Sequence, residues 1–179
     1  MMKKFFLFAL ALTVFAACND DNDNGPDFET VNDEIVNGQI VDDDEMLFLG
    51  TSIVTNPDGT TFTDEYARIS IFGDNRPTLI TPATTLTLRM HGTRFAANMP
   101  ALEMQLPNLG YTPGVGPRLT FTAAGPLTPQ AYINGTGWTP QAKYPITDLN
   151  GSIDNVFCTL TFTCMGSFRV QFTGRMLDD

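Results

Sequence analysis

The sequence predicts an all-β fold, an antiparallel barrel or sandwich of about eight to ten short strands. Three observations lead there. From about residue 34 the apolar residues recur with period two and not 3.6. Turn residues interrupt the pattern about every ten positions, the spacing of a small β domain. Beyond the N-terminal run, no segment carries the apolar stripe of an amphipathic helix.

Taken in order, the elements begin with Asn37-Gly38, set between Glu34-Ile35-Val36 and Gln39-Ile40-Val41; this is a strong two-residue hairpin signal and predicts a small hairpin over 34–41. Met46 to Val54 reads as a strand, Asn56-Pro57-Asp58-Gly59 as a turn, and Thr61 to Phe72 as a second strand with Phe62, Tyr66, Ile69 and Ile71 as its apolar residues. After Gly73-Asp74-Asn75, the residues Leu86, Leu88 and Met90 alternate with Thr85, Thr87 and Arg89, and Leu102, Met104 and Leu106 alternate with Ala101, Glu103 and Gln105. One face of each strand is therefore buried and the other wet. Between Pro107 and Pro145 lie seven of the twelve prolines. Proline cannot donate to a ladder, so only Arg118–Ala123 and Ala131–Asn134 are expected as strands there. The C-terminal part is the most regular, with Val156, Cys158, Leu160, Phe162 and Cys164 on one face, a turn at Met165-Gly166-Ser167, and Phe168, Val170 and Phe172 answering from the next strand. Successive hairpins favour an up-and-down meander, and an eight-stranded barrel has room for side chains or one small ligand.

At 179 residues with 42% apolar content the chain supports one domain with its own core. The net charge of −10 is concentrated at one end, since residues 19–45 hold 11 of the 20 acids and no Lys or Arg. The body from Met46 to Leu177 has seven acids against eight bases and is near neutral. With one His and no basic patch, nucleic-acid binding is excluded as a class.

The N-terminus has a different logic. Lys3 and Lys4 precede an apolar run from Phe5 to Ala17, too short to span a bilayer, which predicts a signal peptide over 1–17. The run closes as Val14-Phe15-Ala16-Ala17-Cys18, which resembles a bacterial lipobox and implies acylation of Cys18 as the first mature residue. Multiple acyl chains make such an anchor effectively permanent. The polar stretch Asn19 to Asp27 has no apolar residue to offset ordering entropy, so 18–45 is expected to be an acidic tether ahead of a domain over 46–179. Acids directly behind the acylated Cys resemble the surface-export signal of Bacteroidetes-type lipoproteins, which implies display on the outer face of the outer membrane.

Four features together resemble the calycin-like β-barrel lipoproteins of such bacteria. They are the lipobox with its acidic follow-on, the segment Arg94-Phe95-Ala96-Ala97-Asn98-Met99-Pro100 before an alternating strand, the Pro/Gly-rich middle, and the closing Val170-Gln171-Phe172-Thr173-Gly174. The resemblance implies a lipocalin- or streptavidin-like barrel and carries no catalytic residues to transfer.

The chemical inventory is sparse. Cys158 and Cys164 are six apart on one strand, about 20 Å, beyond the reach of a disulfide, and read as small core residues. His91 is the sole imidazole, so any Ser-His-acid set must use it, but no Gly-x-Ser-x-Gly elbow accompanies it. No metal or cofactor set is expected. For a ligand, Met90 and Met104 are candidate pocket residues, and Tyr111, Tyr132 and Trp138 are aromatic candidates on the Pro/Gly-rich loops, suited to apolar or carbohydrate-like molecules. The expected function is a non-catalytic, membrane-anchored barrel that binds a small ligand or serves as an interaction module. The competing readings are an adhesin-like or assembly component without a pocket, and a hydrolase using His91.

Overall fold

The computed structural model describes residues 32–133 and 136–177. The expected signal peptide, Cys18 and the first half of the acidic tether, residues 18–31, lie outside the described residues. Among those described there is no helix, and twelve strands run in chain order: β1 Ile35–Val36, β2 Gln39–Ile40, β3 Met46–Thr55, β4 Thr61–Gly73, β5 Thr85–Thr93, β6 Leu102–Pro113, β7 Arg118–Ala123, β8 Gln130–Ile133, β9 Gly137–Pro140, β10 Ile146–Asp154, β11 Phe157–Cys164 and β12 Phe168–Met176. Eight of them, β3–β7 and β10–β12, form a closed antiparallel barrel. Closure comes from the first and last of these, β3 and β12, which pair from Phe48–Met176 to Thr55–Arg169. No barrel edge is left along that seam. The β8–β9 hairpin is an excursion between β7 and β10, attached to β6 through Met104–Ala131 and Gln105–Gln130.

The alternation read from the sequence lines the interior. Met46, Phe48, Val54, Ile69, Ile71, Leu86, Leu88, Met104, Leu106, Leu119, Phe121, Ile153, Cys158, Leu160, Phe162 and Phe172 are all buried in one cluster. Each such side chain contributes roughly 1.5–3 kcal/mol of transfer free energy, which is what sets the register. Gly151 is where the wall thins to admit an aromatic ring: a Cβ there would lie 2.1 Å from Phe121 Cζ.

Of the four register shifts in the barrel, one in β4 and one in β6 overturn the strand readings above. In β4 the inward residues change from even positions (Phe62, Asp64) to odd ones (Ala67, Ile69, Ile71) because the register against β3 slips between Gly50–Ala67 and Ser52–Asp64. The extra residue of this bulge puts Tyr66, expected among the apolar face, outside at 77% exposure. In β6 the strand runs through Pro107 to Pro113, correcting the expectation that proline ends it. The register against β5 shifts between Leu88–Leu106 and Leu86–Leu109, so Pro107 and the left-handed Asn108 (φ 59°) occupy the bulge, where no ladder amide is required. β9 is likewise a strand the proline-rich stretch concealed.

Both ends are closed. At one, called here the hairpin end, Asn37 and Gly38 take positive φ (51° and 74°) in the tight turn that joins β1 to β2. The hairpin folds over the barrel rather than standing apart: Gly38 N–H donates to Gly116 O at 2.7 Å, Ala83 N–H to Ile40 O at 2.9 Å, and Ile35 and Ile40 are 2% and 0% exposed. At the opposite end, the β5–β6 connection inserts Phe95, fully buried, edge-on to Phe162 at 6.2 Å and tilted against Tyr144 at 6.4 Å.

Candidate functional site

Two surface features follow from this architecture. The first arises where β4 and β5 part. They pair from Gly73–Leu86 to Arg68–His91 and no further, while β4 continues back to Thr61 in register with β3 alone. The separation leaves an open groove of about 470 Å³ between Phe62, Asp64, Tyr66, Gly92 and Arg94. Asp64 and Arg94 also stand at the lip of an inner void that reaches Met90, Phe162, Val170 and Phe172. That void is about 20 Å³, room for about one water molecule and for no organic ligand.

The second is a polar network on the outer faces of β4, β5 and β6, built by register. Ser70 lies opposite Arg89, Arg68 opposite His91, and Arg89 opposite Gln105. Across those strands Ser70 Oγ is 2.6 Å from His91 Nε2, and His91 Nδ1 is 3.1 Å from Glu103 Oε2. A ring protonated on Nδ1 satisfies both contacts, donating to Glu103 and accepting from Ser70. Glu103 Oε1 accepts the Gly92 amide at 2.8 Å. Glu45, leading into β3, takes both of its oxygens to one Arg89 nitrogen at 3.1 and 3.2 Å, and Arg89 lies over Phe72 at 4.8 Å and over Trp138 at 5.2 Å.

Serine, imidazole and carboxylate in this order have the connectivity of an acyl-transfer relay. The surroundings are those of a clamp. Ser70 is 1% exposed in the middle of a strand paired on both sides, so no acyl group reaches its oxygen. The Gly92 amide is committed to Glu103 and is not available as an oxyanion donor. Chemically the network can hold β3, β4, β5 and β6 together and fix the entry of the chain into the barrel.

The residues expected to bind ligand fall in three places: Met90 and Met104 are cross-strand partners on β5 and β6, Tyr132 and Trp138 pair on the β8–β9 hairpin, and Tyr111 stands apart. Met90 and Met104 are 2% and 0% exposed within the packed interior. Tyr111 is on β6 at the hairpin end, where its hydroxyl accepts from Ile40 N–H at 3.2 Å and donates to Ala83 O at 2.6 Å, tying the cap down. Tyr132 and Trp138 face each other edge to face at 5.6 Å across the β8–β9 hairpin. All three aromatics are on strands, correcting their expected place on loops. Sequence reading singled out His91 alone, because Ser70 and Glu103 join it only through strand register. Of the lip residues, Arg94 was singled out only as the start of the Arg94–Pro100 segment, and Asp64 was not assigned a site role.

Cys158 and Cys164 are both buried and free, and burial pushes each thiol up from 9.0 to about 12. Among the described residues the one group of His, Cys, Asp or Glu within metal-ligand reach is Asp42, Asp43 and Asp44, all exposed on the connection from the hairpin to β3. No helix among those residues is long and apolar enough to cross a membrane. Comparison with protein-family models, with curated proteins and with solved structures finds no match to this chain.

Proposed function

We propose that this is a non-catalytic interaction module, a calycin-like barrel held by acylated Cys18 and displayed on the outer face of the outer membrane. One observation carries the choice of interaction over containment: large side chains from every barrel strand are buried in one interior cluster, both ends are capped, and the inner void beneath the β4–β5 groove is only about 20 Å³. Recognition then belongs to the outside of the barrel, where the groove at the β4–β5 parting exposes Tyr66, Asp64 and Arg94 side by side. The anchor is supported by the lipobox and the acidic segment behind it. The test is a photo-cross-linking residue in place of Tyr66 in living cells, with radiolabelled fatty acid supplied. The reading expects label in the wild type and none in Cys18→Ala, together with a discrete macromolecular adduct at position 66. Equal labelling of both proteins refutes the anchor, and absence of any adduct refutes the groove.

The non-catalytic part has its own measurement. A fluorophosphonate probe leaves Ser70 unmodified in the native protein, and Ser70→Ala changes stability by about 1 kcal/mol through the lost hydrogen bond. Stoichiometric phosphonylation of Ser70 would restore the hydrolase reading. A second reading is favoured by the aromatic pair: Tyr132, 51% exposed beside Trp138, offers a sugar ring an apolar face outside the barrel. Glycan-array binding lost in Tyr132→Ala would establish it.

A further inference from the structure

We propose that the hairpin end of the barrel rests on the bilayer that carries the anchor, with its aliphatic loop tips in the lipid interface. The inference rests on the lipid-anchored reading above and adds an orientation and a contact surface to it.

The tips are built to be rigid and exposed. In the β4–β5 loop, Thr78 and Thr81 close a turn on each other: Thr78 N–H donates to Thr81 O at 3.0 Å, Thr81 N–H to Thr78 Oγ1 at 3.1 Å, and their hydroxyls are 2.8 Å apart. The two residues at the apex are Leu79 and Ile80, 71% and 92% exposed. In the β6–β7 connection Val115 is 87% exposed on a turn closed by Gly114 N–H to Arg118 O at 2.8 Å and Arg118 N–H to Gly116 O at 2.9 Å. The β1–β2 hairpin lies between the two loops, bonded to Gly116 on one side and to Ala83 on the other, and adds Val36 at 40% exposure. A loop that satisfies its own polar groups and points its aliphatic side chains outward has no use for them within the chain.

The chain's point of entry identifies what covers these tips. Asn32, where the described chain begins, is held at this same end: its backbone amide is 2.9 Å from Asn155 Oδ1, and its side-chain amide donates to Asn155 O at 3.0 Å, in the β10–β11 turn. Cys18 is 14 positions upstream. The opposite end lies about 25 Å further along the barrel wall. The chain coming from Cys18 thus enters at the end that carries Leu79, Ile80 and Val115, and the β4–β5 groove lies at the other end. The exposed Asp42, Asp43 and Asp44 next to the hairpin repel anionic headgroups, so the surface contacted is zwitterionic phospholipid.

The experiment uses the full acylated protein in phosphatidylcholine–phosphatidylethanolamine vesicles, with a nitroxide on Ile80→Cys or, as control, on Ser167→Cys in the β11–β12 turn. Cys158 and Cys164 are buried and stay unlabelled. The Ile80 label is expected to lose accessibility to a water-soluble nickel chelate by about tenfold while gaining contact with oxygen, and the Ser167 label is expected to stay fully accessible. Protein that fails to float with vesicles overturns the anchor and the orientation together. Protein that floats with both labels equally accessible, or with Ser167 the protected one, overturns the orientation alone. Dipolar broadening between Ile80 labels assigns the surface to a second copy and likewise overturns it.

Discussion

Replacing Phe95 with Ala tests whether the barrel is sealed. Its ring is fully buried, edge-on to Phe162 at 6.2 Å and 6.4 Å from Tyr144, and it closes the end opposite the hairpin. Removing a buried Phe side chain costs about 3–5 kcal/mol, transfer and cavity terms together. Domains of this size have about 5–15 kcal/mol in total, so the variant keeps its fold but loses a large fraction of its margin. With a urea slope of about 2 kcal/mol/M the midpoint falls by about 1.5–2.5 M at unchanged slope. The vacated space is bordered by the rings of Phe162 and Tyr144, so the new cavity is predominantly apolar. Saturating benzene should bind there and return part of the lost stability, while leaving the wild type unchanged. Urea denaturation followed by circular dichroism, with and without benzene, makes the measurement. A midpoint shift below about 0.5 M, or equal benzene stabilisation of wild type and variant, would refute the claim that Phe95 closes a filled interior.

The remaining predictions concern the wall, the cap and the thiols. Gly151→Ala places a Cβ 2.1 Å from Phe121 Cζ, so overpacking is expected to cost about 1–3 kcal/mol in thermal unfolding, and an unchanged melting temperature would show that the ring is not seated there. Gly38→Ala combines a φ of 74° with a Cβ 2.3 Å from Gly114 N. The cap should loosen, read as faster hydrogen exchange at the Gly38 and Ala83 amides with the β11 and β12 amides unchanged. Cys158 and Cys164 are expected to be inert to Ellman's reagent at pH 8 in the native protein and to react only on unfolding. Because their folded values, about 12, lie above the unfolded 9.0, the unfolded state loses its protons first. Their contribution to stability is complete below pH 9 and is lost as pH rises from 9 toward 12. Urea midpoints that stay level over that window would contradict it.

Much of the barrel was legible because burial on one face imposes period two, and β11 and β12 follow it without interruption. Asn37-Gly38 was legible because the tight turn needs the positive φ both residues adopt. The bulges in β4 and β6 were not, since each consists of a parity change that looks locally like noise: Phe62 and Ile69 cannot share a face without one, yet the sequence offers Tyr66 as a plausible bridge. Pro107 misled for the opposite reason, being read as a stop where the bulge made its missing amide harmless. The polar network was hidden more deeply. Ser70, His91 and Glu103 are separated by 21 and 12 positions and meet only through the β4–β5–β6 register. Tyr111 lies at the hairpin end and Tyr132 with Trp138 on the β8–β9 hairpin, so three aromatics of one proline-rich stretch serve two places in space.

The central claim, that this barrel is a filled and capped module that recognises partners from outside, is tested most directly by native mass spectrometry of the protein extracted from its own membrane. The claim expects the intact mass of polypeptide plus covalent anchor, with no stoichiometric guest, before and after gentle activation. A one-to-one complex with a small molecule that is released on activation, and that is retained by the Tyr132→Ala variant, would place a ligand inside the barrel and contradict it.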